Sequence, residues 1–365
     1  MKIAILGTRG IPANYGGFET FAEECAAGLV ARGHRVTVYG RPRYVPRGVR
    51  THRGVRLIVL PTLPWKYTDT VVHTFLSVLD AVFRGYDAVL ICNAANSVFA
   101  WIPRLAGTPV AVNVDGIERL RRKWNRLGRA YYRLGEYLAT RFPDVLVTDA
   151  RVIERYYLER YRAESVFIPY GATVEKPRGR DALDDLGLAP GGYLLYVSRL
   201  EPENNAHVVI GAFERLRTGR RLVLVGDAPY AAGYIASLHA TRDPRILFPG
   251  AVYGERYRQL QAHAFCYIHA TEVGGTHPAL IEAMGQGNIV VVNDTPENRE
   301  VVGDAGVLYA RNSADALRQR LQDIVDRPGE YAALKAAAAG RVRDRYSWNS
   351  VIDEYERLFR RLSRG

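Results

Sequence analysis

Four segments of the sequence place glycines, carboxylates and cations where ligand chemistry is done. The richest is Glu272-Val273-Gly274-Gly275-Thr276-His277-Pro278-Ala279-Leu280-Ile281-Glu282-Ala283-Met284, which follows the apolar run 265–269 and opens a helical pattern. Gly274, Gly275 and Thr276 can form a nest of backbone amides, with Thr276 or His277 as the helix cap and Pro278 at the first helical position. A phosphate there meets the positive end of a helix. Glu282 lies four residues past Pro278, about 6 Å along the axis at ~1.5 Å per residue. At that distance its carboxylate can accept hydrogen bonds from a sugar or ribose hydroxyl while the amides hold a diphosphate. The plain alternatives are a solvated carboxylate on a helix face and a histidine that only caps. The apolar flanks of Glu282 weigh toward a ligand role.

Ser198-Arg199-Leu200-Glu201-Pro202-Glu203-Asn204-Asn205 ends another apolar run, 193–198. An arginine at the carboxyl end of a strand points toward the ligand crevice of an α/β domain, and its planar fork fits phosphate oxygens. A surface ion pair to Glu201 or Glu203 is the alternative. Asn113-Val114-Asp115-Gly116-Ile117-Glu118 ends the run 109–114. Asp115 there can orient an acceptor hydroxyl or act as a base, or it can begin an ordinary Asp-Gly turn. Asn14-Tyr15-Gly16-Gly17-Phe18-Glu19-Thr20 precedes a helix with Phe21, Ala22, Cys25 and Leu29 on its core face. Gly16 and Gly17 let amides approach an anion at that helix start. The alternative is a long turn with two permissive glycines.

A fifth feature is a basic stripe. Arg119, Arg122, Arg126, Arg129 and Arg133 repeat at spacings of 3, 4, 3 and 4, with Trp124, Leu127, Tyr131 and Leu134 interleaved. Arg121 and Lys123 add charge. Glu118 and Glu136 are the acids near them, too few for ion pairing along the helix to explain the stripe. A basic amphipathic helix with aromatics reads as a membrane-surface element; a solvated charged face is the alternative.

The elements that must position these residues are legible as alternation. Apolar runs at 2–6, 35–40, 55–59, 87–92, 109–114, 144–148 and 165–168 are separated by helical periodicity at 18–32, 69–84 and 117–142. The pattern pauses in a Gly- and Pro-rich stretch, 170–192, then resumes with runs at 193–198, 221–225, 265–269 and 289–292. Continuous apolar strands between helices predict parallel sheets covered on both faces. Two doubly wound α/β domains facing each other across a cleft follow as the expected fold. The segment 313–363 reads as helical throughout. It ends in an apolar stripe of Val351, Ile352, Tyr355, Leu358, Phe359 and Leu362 behind a Ser347 cap.

Composition bounds the function. The chain has 365 residues, 48% hydrophobic and 24% charged, with a net charge of +12, enough to bury a core of about two domains. Residues 1–170 hold 25 Lys and Arg against 14 Asp and Glu, a charge of +11; residues 171–365 hold 25 against 24. Partners of the first half are therefore expected to be anionic. Three scattered cysteines, Cys25, Cys92 and Cys266, make a disulfide framework or a Cys-rich zinc site improbable and fit a reducing cytoplasm. The run KIAIL is too short for a signal peptide, and no window approaches 18 uninterrupted apolar residues. There is no D-x-D triplet, so a carboxylate-held metal on a diphosphate is not expected, and no helix-turn-helix, zinc-finger or RNP motif supports nucleic acid as the partner.

Taken together, these motifs resemble the retaining GT-B glycosyltransferases of family 4, and more narrowly the bacterial rhamnosyltransferase-like branch of capsule and exopolysaccharide assembly. The resemblance spans essentially the whole chain. It is carried by Gly7-Thr8-Arg9-Gly10-Ile11-Pro12 with Tyr15-Gly16-Gly17-Phe18-Glu19-Thr20, by Asp115-Gly116-Ile117-Glu118 with Lys123-Trp124, and by Ile168-Pro169-Tyr170-Gly171-Ala172. It continues through the Ser198–Asn205 and Gly274–Met284 segments to Tyr346-Ser347-Trp348.

The resemblance implies an acceptor-binding domain over 1–170, a nucleotide-sugar-binding domain over 171–345 and a final helix, 346–365, crossing back to the first domain. It implies that Arg199 contacts the donor diphosphate, Glu282 the ribose, and Gly274, Gly275, Thr276 and His277 the phosphates and sugar, with Gly16 and Gly17 closing over the diphosphate. Asp115, Arg199 and Glu282 are the candidate catalytic residues. Arg119, Arg122, Arg126, Arg129 and Arg133 are assigned to membrane and acceptor contact. The family pattern has Glu where Gly274 stands and Lys where Asn204 stands.

The expected activity is metal- and cofactor-independent transfer of a sugar, rhamnose from dTDP-rhamnose, to a hydroxyl acceptor with retention. The acceptor can be a lipid-linked saccharide met by a cytoplasmic protein on the inner membrane face. The competing reading is a non-catalytic sugar- or phosphate-binding α/β module.

Overall fold

The computed structural model describes every residue except Pro64, Lys66, Tyr67, Pro229, Tyr230 and Gly365. The chain forms two compact units, Met1–Tyr170 with Trp348–Gly365, and Gly171–Ser347. In the first unit the order is β1 (Lys2–Leu6), α1 (Gly17–Ala31), β2 (Arg35–Gly40), β3 (Thr51–His52), β4 (Val55–Val59), α2 (Asp69–Arg84) and β5 (Ala88–Cys92). It continues with α3 (Trp101–Leu105), β6 (Val110–Val114), α4 (Arg126–Leu138), β7 (Val145–Thr148), α5 (Arg151–Tyr161) and β8 (Val166–Phe167). The sheet order is β3-β4-β2-β1-β5-β6-β7-β8. All pairs are parallel except β3 with β4. The strands β1, β5 and β6 are buried along nearly their whole length, as a sheet covered on both faces requires.

The second unit runs α6 (Asp181–Asp185), β9 (Tyr193–Val197), α7 (Ala206–Phe213), β10 (Arg221–Val225), α8 (Ala232–Leu238), β11 (Ile246–Gly250), α9 (Gly254–Ala262) and β12 (Cys266–His269). It ends with α10 (Pro278–Gly285), β13 (Val290–Asn293), α11 (Pro296–Val302), β14 (Val307–Tyr309), α12 (Ala314–Asp326) and α13 (Ala332–Arg345). Its sheet, β11-β10-β9-β12-β13-β14, is parallel throughout. Both sheets reverse direction of winding once, between β1 and β5 and between β9 and β12. Loops leaving the carboxyl ends of strands at such a reversal diverge and leave a crevice.

Three expectations about elements need correction. The edge strands β11 and β14 are absent from the sequence reading; β11 contains Pro249, which an edge strand tolerates because one side makes no ladder bonds. The helix expected over 117–142 is broken: Glu118–Leu120 form a 3₁₀ turn, and α4 starts only after Asn125, whose side chain accepts the Gly128 N–H at 2.9 Å. The helical stretch 313–363 is three helices, interrupted at Pro328 and again at Tyr346–Ser347. Tyr346 and Ser347, grouped above with the final helix, stay with the second unit. There Ala172 donates its N–H to Tyr346 O at 2.7 Å.

The last helix, α14 (Trp348–Leu362), buries its whole apolar stripe in the first unit. Phe21 of α1 packs on Tyr355, ring centroids 5.0 Å apart, and Asn113 Nδ2 donates to Tyr355 OH at 2.6 Å. Glu356 anchors the polar side, bonding Arg32 at 3.0 Å, His34 at 3.0 Å and Arg360 at 2.6 Å. Arg360, His34 and Arg32 together hold its carboxyl down to about 2. A depressed carboxyl stabilises the fold above its unfolded value of 4.5, and that contribution disappears as pH falls toward 2. We expect the α14 amides to lose hydrogen-exchange protection between pH 4.5 and 2 ahead of the sheet. In Glu356→Gln, protection at neutral pH should already be reduced and its pH slope flattened; an unchanged acid profile would contradict this.

Candidate active site

The winding reversal of the second unit places two of the expected segments on adjacent loops. Arg199 follows β9, and the 270–277 loop follows β12, its neighbour in the sheet. Glu272 N donates to Glu203 O at 3.1 Å, tying the loops together.

His277 is the N-cap residue of α10, with extended φ −90° and ψ 111°, but its side chain does not cap the helix. It turns instead to Asn298, Nδ1 to Oδ1 at 3.1 Å. Gly275 and Thr276 are buried beside it. The eight-residue α10 carries Glu282 close to a tyrosine: Tyr257 OH donates to Glu282 Oε2 at 2.7 Å. Gln261 Nε2 donates in turn to Tyr257 OH at 2.7 Å and to Ala279 O at 3.2 Å. Burial, and then the charge of Glu282, push the Tyr257 phenol well up, so it stays a donor. Glu282 is thus a half-buried, oriented carboxylate rather than the freely solvated one of the alternative reading.

Arg199 is half-buried, and its Nε lies 3.9 Å from Glu201 Oε2, the outer limit of an ion pair. Its loop is fixed from below. Gly226 is where β10 ends against it, with φ +150° and so little room that a Cβ would lie 1.8 Å from Ser198 O. Asn204, where the resemblance leads one to expect Lys, is buried; its Nδ2 donates to Arg199 O at 2.6 Å, and Tyr196 OH donates to Asn204 O at 2.7 Å. The side chain at 204 therefore shapes the loop and presents no cation.

Sequence reasoning missed an asparagine scaffold under these loops. Asn205 Nδ2 donates to Ala270 O at 3.0 Å and to Asn312 Oδ1 at 2.9 Å; Asn293 Nδ2 donates to the same two acceptors at 3.1 and 2.8 Å. Asn312 Nδ2 donates to Glu272 Oε2. Asn293 ends β13 and Asn312 lies three residues past β14, a position that was the available signal, whereas Asn205 sits at the start of α7. Fully bonded buried networks of this kind rigidify what lies above them.

In the first unit, Asp115 leaves the carboxyl end of β6 half-buried, and Gly116 follows with φ +134°. Burial raises the phenols of Tyr132, Tyr157 and Tyr170, and the Asp115 charge adds to this at each, after Glu118 at Tyr132 and after Glu136 at Tyr157. Gly16 caps α1 with an extended backbone (φ −166°) that any residue adopts. Its Cβ would find only ordinary contact, 3.5 Å from Glu19 Oε2. The permissive-turn reading of Gly16 is therefore corrected: the local fold does not require glycine there. Buried Glu19 already places a carboxylate in the first turn of α1, accepting the Arg9 N–H at 2.9 Å.

The basic stripe divides. Arg119 lies outside α4, and its guanidinium bonds Glu136 Oε2 at 3.2 Å and Tyr156 OH at 3.0 Å. Arg121 is buried against Glu118 at 2.6 Å. Ion pairing, ruled out along a continuous helix, does account for these two once the helix is broken; the assignment of Arg119 to a membrane surface is corrected accordingly. Arg122 is exposed in the segment before α4, and Arg126, Arg129 and Arg133 are exposed on α4 itself, next to Leu127 (77% exposed) and Leu134 (49% exposed).

Comparison with known proteins agrees with this architecture. Residues 16–171 match the glycosyl transferase 4-like domain, and residues 191–327 match the glycosyl transferases group 1 domain. O-antigen chain mannosyltransferase B of Escherichia coli is 30% identical over 177 residues, which is 46% of this chain and 45% of that protein. This chain thus aligns with about half the length of that curated relative. The Anabaena HepE structure in complex with UDP and glucose superposes with a TM-score of 0.80 at 18% identity, covering 99% of this chain and 100% of that one. WaaG, a glycosyltransferase involved in lipopolysaccharide biosynthesis, gives 0.74 at 17% identity, covering 98% and 99%. The chain thus has the GT-B fold of two parallel-sheet Rossmann-like units, the first carrying a glycosyl transferase 4-like domain and the second a glycosyl transferases group 1 domain.

Proposed function

We propose that this protein is a retaining glycosyltransferase that moves a sugar from a nucleoside-diphosphate donor to a hydroxyl acceptor. The observation that carries this reading is Glu282, held by Tyr257 behind the 274–278 turn and one loop away from Arg199. Arg199 and the first amides of α10 hold the diphosphate, and Glu282 accepts from the ribose. These groups neutralise the charge that grows on the leaving nucleotide. Asp115 orients the acceptor hydroxyl in the first unit. Gly16 and Gly17 keep the start of α1 bare for an anion, which fits a glycine that the local fold does not require. The donor is dTDP-rhamnose. A panel of nucleotide sugars, read first by thermal shift and then by product formation, tests this. Binding without transfer or donor hydrolysis favours the non-catalytic module; transfer of another sugar corrects the donor only.

The charge clamp needs no metal in this scheme, and no carboxylate triplet is assigned to one. We expect transfer to proceed at an unchanged rate in EDTA. Loss of activity in EDTA, restored by Mg²⁺ or Mn²⁺, would replace the arginine-and-helix mechanism with a metal-held one.

We further infer that the acceptor is lipid-linked and that the protein works at the cytoplasmic face of an anionic membrane. Among the described residues no helix is long and apolar enough to cross a membrane. Support for a surface contact comes from Arg126, Arg129 and Arg133 beside Leu127 and Leu134. Phe83 on α2 (89% exposed) and Leu105 on α3 (79% exposed) add apolar groups to the exterior of the same unit. Such residues enter the headgroup region while arginines meet phosphates.

A further inference from the structure

The segment 41–68 holds six arginines, Arg41, Arg43, Arg47, Arg50, Arg53 and Arg56, and no Asp or Glu. Folding brings acids to two of them. Arg41 is buried against Asp69 of α2, and Arg53 bonds both carboxylate oxygens of Glu24 on α1, at 2.6 and 3.0 Å. The side chains of Arg47, Arg50 and Arg56 are exposed and make no hydrogen bond or ion pair among the described residues. Arg56 interacts through space with Asp80, but that carboxylate is already bonded by Arg84 at 3.0 Å and by Tyr39 OH at 2.8 Å.

These three arginines line one groove. The loop 42–50 joins β2 to β3, and between it and β4 lies a space of about 580 Å³, within the ~300–1,000 Å³ of small-ligand sites. The loop is seated by Val45. A Cβ on Gly10 or on Gly40 would lie 2.6 or 2.5 Å from Val45 Cγ2, so two glycines make room for that side chain. Tyr44 N and Val45 N donate to Arg41 O at 3.0 and 3.1 Å, and Leu57 N donates to Arg50 O at 2.9 Å, which fixes both ends of the loop. Val45, Leu57 and Ile58 give the groove an apolar wall that ends at the exposed Val59. The chain leaving β4 goes on to expose Leu63 and Trp65 (66% exposed).

Like charges gathered around one space without an acid repel one another, and an anion placed among them removes that cost. The planar fork of arginine fits phosphate oxygens in pairs. Two linked phosphates meet more of the three arginines than a single headgroup phosphate does, and a bare inorganic anion leaves the apolar wall uncovered. We propose that this groove binds a diphosphate ester carrying an apolar chain: Arg47, Arg50 and Arg56 take the phosphates, and the chain covers Val45, Leu57 and Ile58. The groove then anchors the lipid-linked acceptor, an assignment that rests on the acceptor reading above. It is built from residues 42–59 alone and shares no residue with the donor site.

Farnesyl diphosphate is a soluble probe with both parts. Inorganic pyrophosphate lacks the chain, and dihexanoyl phosphatidylglycerol offers one phosphate in place of two. By calorimetry, farnesyl diphosphate should bind the wild type about tenfold more tightly than either. Changing Arg47, Arg50 and Arg56 together to Gln should weaken it by at least about tenfold and leave nucleotide-sugar affinity unchanged. All three positions are exposed, so the variant should keep its melting temperature. Val59→Ser should weaken farnesyl diphosphate and not pyrophosphate. Arg199→Ala should leave farnesyl diphosphate affinity as it was, because the probe does not sit in the donor site.

Failure of the wild type to bind farnesyl diphosphate overturns the assignment. So does a triple variant within about twofold of wild type, or a loss in Arg199→Ala as large as in the triple variant, since both place the probe elsewhere. Pyrophosphate binding as tightly as farnesyl diphosphate overturns it by showing a plain anion site, and phosphatidylglycerol doing so overturns it in favour of a bilayer headgroup. Each of these results leaves the transferase reading standing, because donor binding is read separately. Conversely, a wild type that binds no nucleotide sugar but holds farnesyl diphosphate through the three arginines removes the transferase reading and keeps the diphosphate groove.

Discussion

Arg199→Ala and Glu282→Ala should each lower kcat/KM for sugar transfer by about ten- to a hundred-fold. A charge-assisted hydrogen bond contributes roughly 1.5–3 kcal/mol, and about 1.4 kcal/mol is tenfold in rate. The two losses should differ in kind. Arg199 is half-buried, its Nε 3.9 Å from Glu201 Oε2, and its removal should act on turnover through the diphosphate it holds. Arg199→Lys keeps the charge but not the planar fork, and should recover only part of the rate. Glu282 accepts from Tyr257 OH, which Gln261 also engages. Glu282→Ala therefore leaves a buried phenol short of an acceptor and should cost some stability as well as turnover. Glu282→Gln retains an acceptor and separates the two effects. Tyr257→Phe should act through the orientation of Glu282 and lose less than Glu282→Ala. Near-normal kcat/KM in either alanine variant, measured with a donor that the wild type turns over, would show that the donor lies elsewhere.

Changing Arg126, Arg129 and Arg133 together to Gln should weaken binding to phosphatidylglycerol-containing vesicles by more than a hundred-fold. Each basic residue near an anionic leaflet contributes about 1 kcal/mol, so three contribute about 3 kcal/mol. The attraction should fall with salt, because the Debye length shortens from about 8 Å at physiological ionic strength to about 3 Å at 1 M. Leu127→Ser should reduce what remains at high salt, since its exposed side chain contributes through burial rather than charge. Arg119→Gln supplies the internal contrast. Its guanidinium is committed to Glu136 and Tyr156; removing it should lower the melting temperature and leave vesicle affinity untouched. Co-sedimentation with anionic and neutral vesicles reads the wild type and all three variants. Equal binding of wild type to both vesicle types, or to neither, removes the membrane contact while leaving sugar transfer in solution as it was.

The sequence by itself determined the parallel sheets, since runs such as KIAIL, AVLIC and YLLYV are apolar without alternation and can only be buried on both faces. It also marked the candidate loops, because Arg199, Asp115 and the Gly274–Glu282 segment all follow such runs. Local pattern did not reach what depends on neighbours distant in sequence. Pro249 hid an edge strand whose partner lies more than twenty residues earlier. Asn125 broke the arginine stripe by capping α4, and Glu136 then drew Arg119 inward from the face that periodicity had given it. The tertiary structure alone decided that α14 lies on α1, with Tyr355 bonded to Asn113 across 242 positions of sequence. It alone decided the direction of the His277 ring, because that follows from Asn298, twenty-one residues on, whose own amide is fixed by two further backbone carbonyls. Burial of a strand is a property of its own residues, whereas the direction of a polar side chain is set by whichever partners folding brings within about 3 Å.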